Sequence, residues 1–449
     1  MGKGEGNVSN RGTIYANPSS KAPMLDVVCD LWHPESNPDG YLSLGVAENT
    51  LMHKELVEFM TNSFSIDSHC LTYGDGFSGS RRLRDAVTRF INNYFNPAHL
   101  VMRSQVAITS GVGPGIELCA FSLCDPDDGV LLGRPYYGNF PGDLESRART
   151  KVIGVSFGEV DPFGGDALVA YEKALLNAQK AGISVRALLL CNPHNPLGRC
   201  YTREVLVEYM RFCQKHSLHL ISDEIYALSV WNNRHSPDAP TFASVLSIDT
   251  SGLIDPSLVH VLWGMSKAST PSFLQVDFGS NGIRVGCIIS QKNNLFLQAL
   301  EANSYFTCPS SLSDSVSIQI LSNDKFVKDY IETNISRLAA NYNLTTHFLD
   351  RHGIPYQKGS NAGFFIWVNL FAALGRQIGH ERPEKELWTL EMNLQTTLLK
   401  HNVFLASGKA FGSDKPGWFR IVFAHREFYL AEGLRRIVQA VEAHNRTLV

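Results

Sequence analysis

An α/β domain built on a mostly parallel mixed sheet flanked by helices, with a smaller α+β domain attached, is the fold class this sequence predicts. Three observations lead there. From Val101 onward, short apolar runs alternate with longer stretches of helical periodicity, the pattern of strand–helix–strand units. After Cys308 the texture shifts to long amphipathic segments with two short strands among them. Finally, 449 residues suffice for about two or three domains at roughly 150 residues each.

The elements follow in chain order. Residues 1–35 are expected to be an N-terminal arm, mobile at least over its Gly-, Ser- and Asn-rich opening. The segment Tyr41 to Ala47 is read as joining the small domain, which makes that domain discontinuous (residues 36–65 and 309–449) around a large domain at 66–308. A helix is expected from Arg81 to Tyr94, after the glycine-rich LTYGDGFSGS. The runs VAITSG, GVLLGRP, KVIGVSF, VRALLLCNP, LHLISDEIYA, LVHVLWGMS and IRVGCIIS read as short buried strands. Between them, Thr202 to His216 carries apolar residues at Val205, Leu206, Tyr209 and Phe212, a helical spacing. Further on, helices are expected over Ser310 to Leu349 and Glu384 to His401, interleaved with the strands GFFIWVNL and GWFRIVFA. The unusual residues cluster at strand ends, which is where open α/β sheets bind ligands.

Composition narrows the function. Forty Lys and Arg against 43 Asp and Glu leave a net charge of −3, too little positive charge for a nucleic-acid footprint or a polybasic membrane anchor. The nine cysteines are scattered with no C-x-x-C pair, as expected for buried thiols in a reducing compartment. The N-terminus has no apolar secretory core, and no run approaches the roughly 18 apolar residues of a membrane span. A soluble, cytoplasmic protein is therefore expected, with the sequons at Asn334, Asn343 and Asn445 unmodified. Fifteen histidines are present, but none pairs with another ligand at metal-site spacing, so no metal is expected.

Taken singly, the motifs leave alternatives open. LTYGDGFSGS is a tight turn before a helix or a ligand loop. SGVGPGIEL is a plain strand–helix connection, or an anion cradle in which backbone N–H groups and the helix dipole point the same way. Asn195 in NPHNPLG is a turn former, and Lys267 at a strand end could be a solvated charge. Asp223, at the end of LHLI, is an acid that would be expensive to bury without a partner. His53 and His194 could line a pocket or be satisfied structural histidines.

The ordered set says more. SGVGPG at 110–115 is followed by PYYGNF, NPHNPLG, SDEIYA, WGMSK, GIRVG and GWFRIVFA. This series resembles the fold-type I pyridoxal-phosphate (PLP) enzymes of the class-I aminotransferase superfamily. NPDGYLSLGVAENTL and NAGFFIWVNL resemble the 1-aminocyclopropane-1-carboxylate synthase-like branch, including its fungal secondary-metabolism members. The resemblance runs from about Asn37 to Ile437. It implies the PLP-dependent transferase fold, PLP as cofactor, a small amino-acid substrate and a homodimer. It further implies that Lys267 forms the Schiff base and moves the α-proton, with Ser266 beside it contacting the cofactor. Asp223 would pair with the pyridine nitrogen, while Tyr226 and Asn195 would bond the ring's phenolic oxygen. Tyr137 would stack on the ring. Val112 and Gly113 would give N–H groups to the phosphate, and Arg284 its guanidinium. Tyr73 would reach the phosphate of the partner subunit. Arg420 would grip the substrate carboxylate in a bidentate pair, and Glu48 takes the place of the branch's active-site glutamate.

Three departures stand out. Pro114 cannot donate in the cradle. Gly264 replaces the family's serine three before the lysine. Sixteen residues separate Lys267 from Arg284, about twice the family's usual spacing. Removing ASTPSFLQV, residues 268–276, would restore the familiar S-K-D-F-G, so these nine are either a loop of this protein or the translation of a retained intron. Three functions are consistent with the whole. The leading one is an aminotransferase-like PLP enzyme of a biosynthetic, secondary-metabolite pathway. The second is a C–S lyase or aminocyclopropane-carboxylate synthase working by β- or γ-elimination. The third is a catalytically inactive PLP-fold binding protein.

Overall fold

Short aliphatic runs become strands where their faces can be covered, and the chain does this seven times in one sheet, with only the edge strand at Lys151–Val155 left mostly part-exposed. The computed structural model describes residues 8–16, 24–265, 278–279, 281–375 and 382–448. Ser266, Lys267 and the stretch ASTPSFLQV lie outside the described residues. In chain order the strands are β1 (Leu42–Ser43), β2 (Val106–Thr109), β3 (Gly129–Gly133), β4 (Lys151–Val155), β5 (Val185–Cys191), β6 (His219–Asp223), β7 (Val259–Gly264) and β8 (Gly286–Ile289). They continue with β9 (Phe365–Asn369), β10 (Val403–Phe404), β11 (Ala406–Ser407) and β12 (Trp418–Val422). All seven runs expected to be strands of the large sheet form it, in the order β2-β8-β7-β6-β5-β3-β4.

Every neighbouring pair is parallel except β2–β8 and β7–β8, because β8 runs against both neighbours. Alternate residues face two separate cores. Val130, Leu132, Leu189, Ile221, Leu262 and Ile288 point to one; Leu131, Leu188, Leu190, Leu220, Val261 and Cys287 point to the other. This two-sided burial explains the unbroken apolar runs in the sequence.

Helix ends are set by side chains. Ser80 accepts from the Leu83 N–H to start Arg81–Tyr94, and Thr202 accepts from Val205 to start Arg203–His216. The second of these helices ends at Ser217 in the left-handed conformation, φ 53°. Two expectations need correction. The segment Ser310 to Leu349 is two helices, Ser311–Leu321 and Asp324–Arg351, because Asn323 caps a fresh start by accepting from Phe326 N–H. The opening arm contains a helix, Asn10–Ala16, begun by Ser9, whose Oγ accepts from Gly12 N–H at 3.1 Å.

A second sheet, β11-β12-β9, is antiparallel, and β1 pairs in parallel with β10. Glu391, buried on the helix Glu384–Lys400, ties the connection between β11 and β12. Its Oε1 accepts from Lys409 N–H at 3.0 Å and its Oε2 from Gly417 N–H at 2.7 Å.

At the edge of the large sheet where β6 and β7 begin, His219 Nδ1 lies 3.0 Å from His260 Nε2, and His260 Nδ1 lies 3.0 Å from Ser290 Oγ. Burial pushes His219 to about 4 and His260 well below its ordinary value. It likewise pushes His194 to about 3 and His425 to about 4. All four are neutral when folded yet take protons in the unfolded chain below about 6.5. The stability they contribute is therefore present above that pH and lost as pH falls toward 4. Buried carboxyls act in the opposite sense: Asp143 and Glu224, held up to about 7, and Glu117, Asp314 and Glu391, each raised by burial. The imidazole contribution is therefore read against a variant: between pH 6.5 and 5 the cofactor-free protein should lose about 1 kcal/mol of urea-unfolding free energy relative to His425→Gln, which does not titrate; parallel curves contradict the assignment.

Candidate active site

The antiparallel course of β8 gathers chemistry at one edge of the sheet. The parallel strands end there and β8 begins there, so Gly264, Gly286 and Thr109 stand level across three strands. Asp223, closing β6, stands level with Cys191 of β5 and Leu262 of β7. Met265 N–H bonds Val285 O at 3.0 Å, so the chain passes into the undescribed Ser266–Lys267 segment from this same edge.

After β2 the chain turns through Gly111, φ 108°, straight into the helix Val112–Leu123. Val112 and Gly113 thus supply first-turn N–H groups with no partner inside the helix, together with the positive end of its dipole. Pro114 follows within the same first turn, a place where helices tolerate a residue without an N–H. Arg284 joins them from the start of β8. Its Nη2 donates to Ser110 O at 2.9 Å, and its backbone holds φ 57°, uncommon for a residue with a side chain. Burial lowers the guanidinium below its ordinary pKa, opposed by the nearby Tyr137 phenol. A helix N-terminus and an arginine on one turn make a site suited to a phosphate.

The glycines explain the close approach. A Cβ on Gly286 would lie 2.6 Å from Gly111 C and 2.8 Å from Val112 N. At Gly264 it would lie 2.9 Å from Val285 O and 3.1 Å from Val112 Cγ2. At 264, strand and cradle pack too tightly for the serine that the resemblance implies.

Deeper in the site, Arg420 of β12 is fully buried, with Nη1 2.9 Å from Asn195 Oδ1 and Nη2 2.7 Å from Gly45 O. Arginine can only donate, so the first of these bonds turns the Asn195 oxygen toward Arg420 and its Nδ2 donor away. The guanidinium carbon lies 4.8 Å from the Phe411 ring and 5.4 Å from the Phe365 ring, and burial pulls the pKa down to about 9. Tyr226, also buried, meets the same Phe365 edge-on at 5.1 Å. The Asp223 Oδ1 accepts from Ile225 N–H at 3.2 Å. Tyr137 packs edge-on against Phe140 at 5.1 Å. Burial raises its phenol pKa well above the ordinary value, with Asp143, Arg420, Asp223 and Arg284 acting on it electrostatically.

The structure therefore brings Val112, Gly113, Tyr137, Asn195, Asp223, Tyr226, Arg284 and Arg420 to one end of the large sheet. Glu48 lies three residues beyond the Gly45 carbonyl that Arg420 holds, half-buried, within electrostatic reach of Tyr429. Tyr73 is 81% exposed, on the loop ahead of Ser80, and touches Phe77 edge-on at 5.6 Å. Sequence reasoning missed Asp143, whose carboxylate reaches this site from the short helix Phe140–Glu145. Its only sequence signal is an acid six residues after Tyr137.

The sequence profile described as aminotransferase class I and II matches residues 40–437. The chain is 33% identical over 402 residues to "Probable aminotransferase aclI" of Aspergillus oryzae, covering 88% of this chain and 90% of that protein. It is 32% identical over 424 residues to 1-aminocyclopropane-1-carboxylate synthase-like protein 1 of Takifugu rubripes, covering 92% of this chain and 64% of the fish protein. Among solved structures, the aromatic aminotransferase from Pyrococcus horikoshii matches with a TM-score of 0.70 at 21% identity, covering 91% of this chain and 97% of that one. That likeness bears on the fold, which is as the sequence predicts.

The packing of Gly286 against Gly111 and Val112 can be tested by Gly286→Ala. The added methyl must push backbone apart, so the variant should lose about 1–3 kcal/mol in urea unfolding; a midpoint equal to that of the unaltered protein contradicts the described contact.

Proposed function

The chain belongs to the class I and II aminotransferase family, and from that premise we propose an aminotransferase acting on an amino acid or amino-acid-derived intermediate in a biosynthetic, secondary-metabolite pathway. Its cofactor is pyridoxal 5′-phosphate. The donor set fits that group. Val112, Gly113 and Arg284 would hold the phosphate, and Asp223 the ring nitrogen. The Nδ2 of Asn195 and the phenol of Tyr226 would hold the ring's phenolic oxygen, and Tyr137 would cover a face of the ring. Bound there, the cofactor supplies a sink for the electron pair left on the substrate's α-carbon.

The observation that carries this reading is the buried Arg420, held at 2.9 Å by Asn195 and 2.7 Å by Gly45 at the same edge as Asp223. A guanidinium fixed this way receives a carboxylate in one orientation, which aims the α-carbon. The Nζ of Lys267 would take the proton from that carbon and hold it for return. The enclosing rings of Phe365 and Phe411 keep water from the pair.

Elimination begins with the same proton loss, so a C–S lyase or aminocyclopropane-carboxylate synthase is the second reading. The synthase-like relative and the placement of Glu48 beside Gly45 favour it. A binding protein without activity draws its support from Gly264 and residues 268–276. The working unit is a homodimer in which Tyr73 reaches the partner subunit's site. In support, Leu71, Tyr73, Tyr305 and Phe306 are each more than 60% exposed, and Phe77 joins Tyr73 to Tyr305 through edge contacts at 5.6 and 4.9 Å. No helix among the described residues is long and apolar enough to cross a membrane. Six of the nine cysteines are buried, which supports a cytoplasmic setting.

Products decide among these readings. Incubating the PLP-loaded protein with amino acids should give more than one keto acid per site only when a second keto acid is supplied as amino acceptor. Keto acid and ammonia released without an acceptor would establish elimination instead, and no turnover of any amino acid would favour the binding protein. Arg420→Lys cannot span both Asn195 and Gly45, so KM for the amino acid should rise about 100-fold, or roughly 2.7 kcal/mol, with the cofactor retained. An unchanged KM would remove Arg420 from the substrate site.

A further inference from the structure

We propose that Asp143 is a positioning residue of the site, a second acid beside Asp223 whose proton governs how much negative charge the cofactor's pyridine end meets. The proposal rests on the PLP reading above and extends it to a residue outside the family's motif set.

The geometry is specific. Asp143 Oδ1 accepts from Asn139 Nδ2 at 2.7 Å. Its Oδ2 is shut off from solvent and has no hydrogen-bond partner among the described residues. The two oxygens stand 3.5 and 3.6 Å from the point a Cβ on Gly113 would occupy, so the carboxyl lies against the first turn of the anion-binding helix. Three titratable groups face it: Asp223 from the end of β6, Glu117 from the helix Val112–Leu123, and Tyr137 from the loop after β3. Beyond Glu117, Arg147 approaches the outer carboxylate at 3.5 Å.

A buried carboxylate oxygen without a donor, next to another acid and to a phosphate cradle, is a poor place for negative charge. A proton on Oδ2 removes that charge and leaves the Asn139 bond intact. Burial and the charge of Asp223 accordingly push the Asp143 carboxyl up to about 7. While Oδ2 carries the proton, the pair bears one charge, and Asp223 alone faces the ring nitrogen. When the proton leaves, a second charge appears beside Asp223 and raises the proton affinity of basic atoms nearby.

Asp143→Asn tests this, because the amide oxygen still accepts from Asn139 while the side chain no longer titrates. In visible-absorbance titrations of the PLP-loaded protein, the unaltered chain should show a component near pH 7 that Asp143→Asn lacks. The remaining inflection of the variant should lie lower by about 0.5–1 pH unit. Superimposable titrations would overturn the proposal. Asn139→Ala, which removes the donor to Oδ1, should move the component near pH 7 upward, and no movement would count against it. A cofactor-free measurement separates the two layers of the argument. In urea unfolding, the unaltered protein should gain stability relative to Asp143→Asn as pH falls from about 7 to 4, because a carboxyl with a raised pKa stabilises the fold in its protonated form. Parallel curves there would mean that Asp143 holds no such proton. An unaltered protein that takes up no PLP contradicts the functional reading, and the positioning role falls with it whatever the unfolding curves show.

Discussion

Strand β8 runs against both of its neighbours, and its direction decides what the site contains. A parallel strand in that position would start at the far edge and carry Arg284 away from the other groups. Running backwards, it begins where β2, β6 and β7 end, with Gly286 level with both Thr109 and Gly264. The pairing also sets how closely the parts approach. Without side chains at 264 and 286, the turn at Gly111 rests directly on β8, and the first helical turn after it lies within reach of the arginine.

Electrostatics follows from that packing. Arg284 and Arg420 are positive groups withdrawn from water, and both are pulled below their ordinary pKa by burial. Asp223 and Asp143 are acids in the same enclosure, with Tyr137 in electrostatic reach of all four. In low dielectric each charge weighs more heavily on its neighbours than it would in water. The hydrogen bonds of Arg420 also tie the second sheet to the large one, since β12 reaches Asn195 after β5 and Gly45 after β1. The surroundings of Arg420 are thus built from both parts of the chain, and Glu391 holds the loop whose Phe411 covers the guanidinium.

How much of this was legible in the sequence depends on the physical signal each part leaves. The strands were readable because burial on both faces produces unbroken apolar runs in all but the edge strand β4, whose residues are mostly half-buried. The helix beginning at Arg81 was readable from the glycine-rich turn before it, and the one beginning at Arg203 from the spacing of Val205, Leu206, Tyr209 and Phe212. The break at Ser322–Asn323 was not, since helical periodicity continues across it and one capping asparagine marks it. Nor was the helix at Asn10–Ala16, whose composition resembles a loose tail. At the site, Asn195, Asp223, Tyr226 and Arg420 stood out as motif residues, and the fold brings them together. The approach of Arg284 to Ser110 depends on strand direction, which periodicity does not encode. Asp143 belongs to no motif, and a single acid in a six-residue helix reads as surface until the chain is folded around it. Tyr73 was visible as a residue of a glycine-rich loop, yet its ring faces outward from its own chain.

The central claim is that this edge of the sheet holds PLP on Lys267. The most direct test is to load the protein with PLP, record its visible spectrum, reduce it with borohydride and map the labelled peptide. The account predicts a yellow protein whose reduced cofactor is attached to Lys267, in the peptide containing WGMSK. A protein that stays colourless with PLP supplied, or a label on any other lysine, would contradict it.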